Sequence, residues 1–356
     1  MQADQYYRQQ LSREEQAVYH DMQAGICSLA ASFPLPRLTN RQLSDIFFLL
    51  RLDHPEIFWV SGFRYSAVPD AETVQFKPEY IFKKKQILSH RQAMETRITR
   101  LVRQAADLSE AEKEQFVHDF ICSSITYDKL KKPYSHEIIG PLGQGVGVCE
   151  GIAKSVKVLL DRLGIWCIIA LSDNNPEKGI RYRHTWNIIR LNGQYYHLDA
   201  TFDRSLSEDG LIRYDYYNLP DSHVFRDHEP SMYPLPVCGD NKNFWYREKK
   251  LSFTKEEELQ SRIAQYVRKK KPLVFHWRGG YLTADIIRKI ADMVRIEAEK
   301  KQLSPGIRIN RGQSVVQIDF LAAPPEEDVT LQQADMDEQL EAADSEPAPA
   351  DASENF

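Results

Sequence analysis

Three side chains that can act together in catalysis occur in the middle of this 356-residue chain. They are the thiol of Cys149, the imidazole of His184 and the carboxylate of Asp199. A cysteine thiolate attacks carbonyl carbon, a histidine carries the proton, and a carboxylate orients that histidine. This set of groups therefore predicts acyl transfer through a covalent intermediate, provided that the fold brings the three together.

Cys149 stands where a glycine-rich stretch, 145–151, meets a predicted helix over 149–163. The first N–H groups of a helix have no intrahelical partner, and they carry the positive end of the helix dipole. Both features stabilise a thiolate, and the same N–H groups can hold an oxyanion. The alternative is a buried cysteine at a helix start, with the glycines needed only for the turn.

A predicted hairpin relates His184 to Asp199. The Asn-Gly pair at 192–193 is the strongest signal for a two-residue turn, and it places Trp186 opposite Asp199 and His184 opposite Thr201. His184 and Asp199 then share one face as diagonal neighbours, roughly 7–8 Å apart at Cα. A slip of one residue would separate them. The alternatives are a strand-end surface histidine and a turn aspartate.

Other polar groups are candidates for supporting roles. Trp186 lies on the same predicted face as His184 and would shield it from water, and Gln144 or Tyr127 would donate a hydrogen bond to an oxyanion. His197 also lies on that face and is predicted to be structural. The sequence does not rank the remaining polar groups, which are His118, Asp119, Asp128 and Asp203.

Composition and periodicity divide the chain into four predicted segments. Residues 1–108 form a helical region with a β-hairpin, and its first helix, opened by a Ser12–Glu15 capping box, runs to about Phe33. Residues 109–252 form the catalytic core, with a loop over 131–148. Residues 253–322 alternate helix and strand as a small α/β unit. Residues 323–356 are acidic, lack an apolar stripe and are predicted to be disordered.

Charge and cysteine content exclude several classes of protein. The net charge is −5, but the last segment holds eleven Asp or Glu and no Lys or Arg, so residues 1–322 carry +6 (−5 plus 11) without a dense basic stripe. This does not predict nucleic-acid binding. The five cysteines have neither disulfide-framework nor zinc spacing, and Cys27, Cys122 and Cys167 are predicted to be core residues. No segment is apolar enough for a membrane. The sequence predicts a cytoplasmic protein, or a secreted one if a signal segment has been removed.

Four motifs carry a resemblance to a known family. Ile125–Asp128, Gly145–Gly151, His184–Asn187 and Tyr196–Asp203 together resemble the bacterial transglutaminase-like superfamily over about residues 110–205. The resemblance implies an α+β, papain-like core, in which a nucleophile helix packs on an antiparallel sheet. It also implies that Cys149 is the nucleophile, that His184 is the general base and acid, and that Asp199 is the orienting carboxylate. No cofactor or metal is implied.

The family includes protein cross-linking enzymes, cysteine proteases, deamidases, peptide N-glycanases and inactive relatives. Glu150 stands where the animal transglutaminases have Trp, and the chain has no acidic calcium cluster, so calcium-dependent cross-linking is not predicted. We expect thiol-dependent acyl transfer at amide or peptide bonds of a protein or peptide substrate. Two alternatives stay open: a catalytically silent scaffold of the same fold, and partner binding through the C-terminal α/β unit or acidic segment.

Overall fold

A computed structural model describes residues 5–178, 180, 183–208, 210–322 and 331–333. The chain divides into two compact units that are discontinuous in sequence. The first comprises Met1–Asn174, Tyr182–Gly193 and Ser231–Leu235, and the second comprises the rest. The domain boundaries at 108, 252 and 322 remain a prediction.

The first unit contains five helices and seven strands among its described residues. Its helices are α1 (Arg13–Cys27), α2 (Asn40–Asp53), α3 (Lys84–Ala105), α4 (Glu110–Ser124) and α5 (Cys149–Arg162). Its strands are β1 (Phe33–Pro36), β2 (Val60–Ala67), β3 (Thr73–Tyr80), β4 (Thr126–Tyr127), β5 (Val146–Gly147), β6 (Trp166–Ser172) and β7 (His184–Leu191). The predicted β2–β3 hairpin is confirmed, and β1 adds to it in the order β1-β3-β2.

Helix α5 packs on strands β6 and β7 and forms a layer with them in this unit. β6 is buried along its whole length and pairs antiparallel with β7, with Ser172 opposite His184. α5 packs on both strands, and all its residues from Gly151 to Leu160 are buried. The continuous apolar sequence of β6 reflects this burial. Gly164 follows α5 with a left-handed φ of 81°, a backbone conformation that glycine adopts readily at the end of a helix.

Two predicted capping boxes are confirmed at helix starts, but one predicted helix end is wrong. Capping boxes at Ser12 and Ser109 open α1 and α4. The prediction that α1 runs to Phe33 is wrong, because the helix ends at Cys27 and Phe33 begins β1. Pro34 and Pro36 favour extended residues before them, and this overrides the apolar 3–4 spacing. Cys27 is exposed, contrary to prediction, whereas Cys122 and Cys167 are buried as predicted.

The second unit holds the described C-terminal part of the chain. Its helices are α6 (Ala200–Leu206), α7 (Asp221–Val224), α8 (Trp245–Glu248), α9 (Glu256–Lys269) and α10 (Ala284–Glu299). Its strands are β8 (Gln194–Leu198), β9 (Tyr217–Leu219), β10 (Ser252–Phe253), β11 (Leu273–Trp277), β12 (Leu303–Asn310), β13 (Val315–Ala322) and β14 (Leu331–Gln333). β8 pairs antiparallel with β9, and the last five strands form a sheet in the order β10-β11-β13-β12-β14.

Residues 253–322 contain the predicted helices and strands. Residues 323–356 are predicted to be disordered, but within them Leu331–Gln333 form strand β14 and pair in parallel with β12. An edge strand offers a row of unpaired backbone groups to a neighbouring extended segment. The other residues of that predicted segment lie outside the described residues.

Two further expectations concern local geometry and membranes. The Asn-Gly pair that follows β7 has a left-handed backbone at both positions, with φ of 47° at Asn192 and 79° at Gly193. A type I′ hairpin turn requires this conformation.

Among the described residues, no helix has the length and apolar character needed to cross a bilayer.

Gly151, in the first turn of α5, gives a test of how the start of this helix packs. A Cβ atom at this position would lie 2.1 Å from the carbonyl oxygen of Ser135. We expect Gly151→Ala to lower the free energy of unfolding by about 1–3 kcal/mol, the usual cost of overpacking. Urea unfolding measures this. Gly239→Ala is the matched control, because its added methyl meets nothing within 4 Å; equal stability of the two variants would contradict the packing.

Candidate active site

Cys149 is the first residue of α5 and is 8% exposed. The residue before it, Val148, has an extended backbone and no side chain that caps the helix. The first N–H groups of α5 are therefore not occupied by a capping side chain. Such a terminus favours a thiolate and can donate hydrogen bonds to an oxyanion next to it.

The strands β4 and β5 hold the loop that leads into Cys149. They pair in parallel, with Tyr127 opposite Gly147, and the N–H of Asp128 donates to the carbonyl of Gly147 at 3.0 Å. The Asp128 carboxylate accepts hydrogen bonds from the N–H groups of Leu130 and Lys132 and from the Ser135 hydroxyl. These bonds hold the pKa of Asp128 below its ordinary value despite burial. The segment 125–128 therefore helps to hold the loop that precedes Cys149.

Of the two predicted oxyanion donors, Gln144 ends a short helical turn and its side chain is exposed. Tyr127 is half-buried, and its backbone lies beside the 146–147 segment. Within the predicted loop over 131–148, the structure has short helical turns at Pro133–His136 and Ile139–Gln144. No oxyanion contact is assigned to either side chain.

Glu150, the residue after Cys149, belongs to an ionic cluster on one side of α5. Its carboxylate lies 2.7 Å from Lys154, 3.2 Å from His136 and 3.7 Å from Arg51. Lys154 and Arg51 also contact the buried Glu137. Burial opposes ionisation, but Lys154, His136 and Arg51 hold the pKa of Glu150 well below its ordinary value. This cluster fixes the start of α5 to α2 and to the preceding loop.

His184 and Cys149 lie at the same end of the α5–β6–β7 layer. Only three residues join α5 to β6, and both elements are about 20 Å long, so the start of α5 returns to the end of β6. There Ser172 pairs with His184. The Asn187 amide donates to the carbonyl of Ala153 at 3.0 Å, one turn into α5, which fixes this alignment.

Trp186 covers the histidine on the same strand. The two rings stack, with centroids 5.9 Å apart and planes 13° apart. Trp186 is 1% exposed and His184 is partly exposed. The indole therefore lies beside the imidazole, and its role as a shield against water stays a prediction.

Residues 96–200 match the model of the transglutaminase-like superfamily. The chain carries a transglutaminase-like segment. It includes all three residues predicted to be catalytic. Members of this superfamily are usually enzymes, proteases or transglutaminases.

Two solved structures are similar to parts of this chain. One is a TGase, at 11% identity and a TM-score of 0.29 over 40% of this chain and 44% of the other. The second is a candidate protease from Parabacteroides distasonis, at 12% identity and a TM-score of 0.22 over 40% of each chain. This chain thus spans less than half the length of each. The comparison with curated proteins gives no match.

Asp199, the third predicted residue, lies in the second unit at the start of α6. One carboxylate oxygen accepts the N–H groups of Thr201 and Phe202, at 2.9 and 3.1 Å. The other lies 2.9 Å from Nε2 of His228. Asp199 is therefore both a helix cap and a partner of a histidine that the motif analysis does not name.

His228 is fully buried and is held between two carboxylates. Its Nδ1 lies 2.9 Å from Asp227, which also accepts hydrogen bonds from Tyr216 and Gln313. Burial alone would lower the pKa of His228, but its hydrogen bonds to Asp199 and Asp227 raise the pKa to about 9. A positively charged His228 in turn stabilises Asp199 as a carboxylate and fixes its rotamer. Residue types alone give no signal for it, because 29 residues separate the two partners.

His197, predicted to be structural, is in the same unit. Its Nε2 lies 2.8 Å from a carboxylate oxygen of Asp221. Cys238 lies close to this pair, and one potential metal-ligand atom from each of the three residues lies within 4.8 Å of the other two. Asp221 also accepts the N–H of Cys238. These hydrogen bonds account for the arrangement without a metal. Burial lowers the pKa of His197, although the hydrogen bond to Asp221 and the charge of Asp221 act in the opposite direction.

The pKa of His228 predicts a loss of stability at alkaline pH. A group whose pKa is higher in the folded than in the unfolded protein contributes stability below its unfolded value, and this is lost as pH rises to its folded value. For His228 the window runs from about 6.5 to about 9. We expect the free energy of unfolding to fall by about 2 kcal/mol between pH 7 and pH 9 relative to His228→Gln. Urea unfolding of both proteins measures the difference, and parallel pH profiles would contradict a charged His228.

Proposed function

We propose that the chain catalyses thiol-dependent acyl transfer at an amide or peptide bond, with Cys149 as nucleophile, His184 as general base and acid, and Asp199 as orienting carboxylate. The observation that carries the proposal is the position of Cys149 at the uncapped start of α5, at the same end of the layer as His184. The match to the transglutaminase-like superfamily over both residues supports it. A catalytically silent scaffold gives no reason for this placement.

The reaction would begin with attack of the Cys149 thiolate on the carbonyl carbon. A carbon–sulfur bond forms, and the carbonyl π electrons move to the oxygen, which the first N–H groups of α5 stabilise. The tetrahedral intermediate then collapses to a thioester, and the leaving amine or ammonia takes a proton from His184. Water or a second amine attacks the thioester with His184 as base, and the thiolate is released.

The choice of acceptor decides between hydrolysis and transamidation, since the same residues serve both. We propose Trp186 as the group that limits water on one face of His184, because it stacks on the imidazole and is almost fully buried. Replacement of Trp186 would then favour hydrolysis over transfer to an amine. The substrate expected is a protein or peptide carrying a reactive amide.

Mass spectrometry of a peptide pool containing Gln, with an added primary amine, tests the proposed function. Amine incorporation, deamidation and backbone cleavage give different mass changes. We expect one or more of them with the wild-type chain and a decrease of at least about a thousandfold in Cys149→Ala, as for loss of other catalytic nucleophiles. Cys27→Ala is the matched control. Products formed equally by Cys149→Ala and the wild type would contradict the proposal.

Alkylation kinetics test the thiol itself. Cys27 is the exposed cysteine, but burial and Glu56 raise its pKa. Cys122, Cys167 and Cys238 are buried, and burial raises the pKa of the last two. We expect iodoacetamide near neutral pH to modify Cys149 at least about tenfold faster than Cys27, because a helix start favours the reactive thiolate. Peptide mapping over time measures this, and faster reaction at Cys27 would contradict it.

A further inference from the structure

A second polar site lies in the C-terminal sheet region of the second unit. A cavity of about 650 Å³ forms where β11 ends and the β12–β13 turn begins, beside the end of α7. Four arginines from four different chain segments line it: Arg226, Arg247, Arg278 and Arg311. This volume is within the range of small-molecule sites. None of the residues that line the cavity is an aspartate or glutamate.

The positive charge of this arginine cavity is not neutralised within the part of the chain that the structure describes. No ion pair joins any of the four arginines to an acid there. Arg247 donates to Asn241, a neutral group. The carboxylate behind Gly312 belongs to Asp227, which is already hydrogen-bonded to Tyr216, Gln313 and His228. All four arginines are exposed, so water screens their charges in part, but like charges held close together still repel one another and favour an anionic ligand.

Two buried polar atoms in the wall of the cavity lack a hydrogen-bond partner among the described residues. They are Nδ1 of His223, a residue 9% exposed, and Nε1 of Trp277, a residue 3% exposed. Leaving such an atom unsatisfied costs about 1–3 kcal/mol, so an orphaned pair beside a cavity indicates a missing partner. The indole N–H can only donate, so its partner must be an acceptor.

The imidazoles of the cavity are neutral at physiological pH. Burial, with Arg226 and Arg247, lowers the pKa of His223 to about 4. Burial, His223 and the surrounding arginines lower the pKa of His276 to about 3. Burial and the nearby Arg278 also lower the pKa of Arg247. Burial is the largest cause of each shift, and the neighbouring positive groups add to it, a contribution that a bound anion would relieve.

We infer that the arginine cavity binds a small molecule through a pyrophosphate or similarly dense phosphate group. Guanidinium groups pair with phosphate oxygens through two parallel hydrogen bonds, and four of them match a group with three or more negative charges. The exposed ring of Tyr281, 90% accessible at the cavity, offers a face on which an attached ring can stack. The site does not depend on the chemistry proposed for Cys149.

The acidic segment of the chain, residues 323–356, is the alternative occupant of the arginine cavity. Residues 323–356 hold eleven acidic residues and no Lys or Arg. Phosphate is favoured because four arginines and no carboxylate line one concave space whose volume suits a small molecule. If the acidic segment filled the cavity in the full chain, added pyrophosphate would fail to bind, and the inference would be wrong.

Isothermal titration calorimetry of the full chain with inorganic pyrophosphate, at physiological ionic strength, tests this site. We expect saturable binding with a Kd in the micromolar range, about −8 kcal/mol, and orthophosphate at least about tenfold weaker. The double variant Arg226→Gln/Arg278→Gln should bind pyrophosphate at least about tenfold more weakly. The control Arg288→Gln, an exposed arginine of α10 paired with Asp285, should bind like the wild type.

Thermal unfolding without ligand separates loss of the site from loss of the fold. Removing two of four crowded cations should leave the Tm unchanged or raise it, because functional charge clusters lower stability. The inference is overturned if pyrophosphate gives no saturable heat up to about 5 mM, a concentration that detects even millimolar binding. It is equally overturned if the folded double variant binds like the wild type, or if Arg288→Gln loses as much affinity.

Discussion

The burial of α5 on the β6–β7 pair is the constraint on which the candidate site depends. A helix that is buried along ten consecutive residues cannot rotate or slide without losing its packing. The Asn187–Ala153 hydrogen bond fixes its height on the strands, and the Glu150 cluster fixes its first turn. The position of Cys149 is therefore set by packing at many places, which is how rigid elements place a reactive group precisely.

A buried polar network has the corresponding role in the second unit. Asp199 reaches through His228 to Asp227, and Asp227 binds Gln313 in the turn before β13. Residues 253–322, for which the motifs suggest no purpose, thus contact the network that holds a predicted catalytic carboxylate. Arg226 precedes Asp227 directly and lines the arginine cavity. Such networks are costly if one member is lost, because each remaining buried group is then unsatisfied.

Local signals account for what the sequence could predict. Capping boxes, the Gly164 helix end and the Asn-Gly turn are short-range rules, and the structure follows them. The predicted end of the first helix at Phe33 is wrong because apolar spacing alone fits a helix there, whereas Pro34 and Pro36 favour an extended backbone. His228 and the four cavity arginines were not predictable, because segments far apart in the chain bring them together. Neither spacing nor residue type encodes such contacts.

The central claim is that Cys149 forms a thioester with substrate, and acid-quenched intact-mass spectrometry tests it most directly. The wild-type chain is mixed with the peptide pool, quenched within seconds and weighed, then digested to locate any adduct. The account predicts an acyl adduct on the Cys149 peptide that hydroxylamine removes, and less of that adduct in His184→Ala, because His184 protonates the leaving group when the thioester forms. An adduct on another residue, or peptide conversion by a chain whose Cys149 is replaced by Ala, would contradict it.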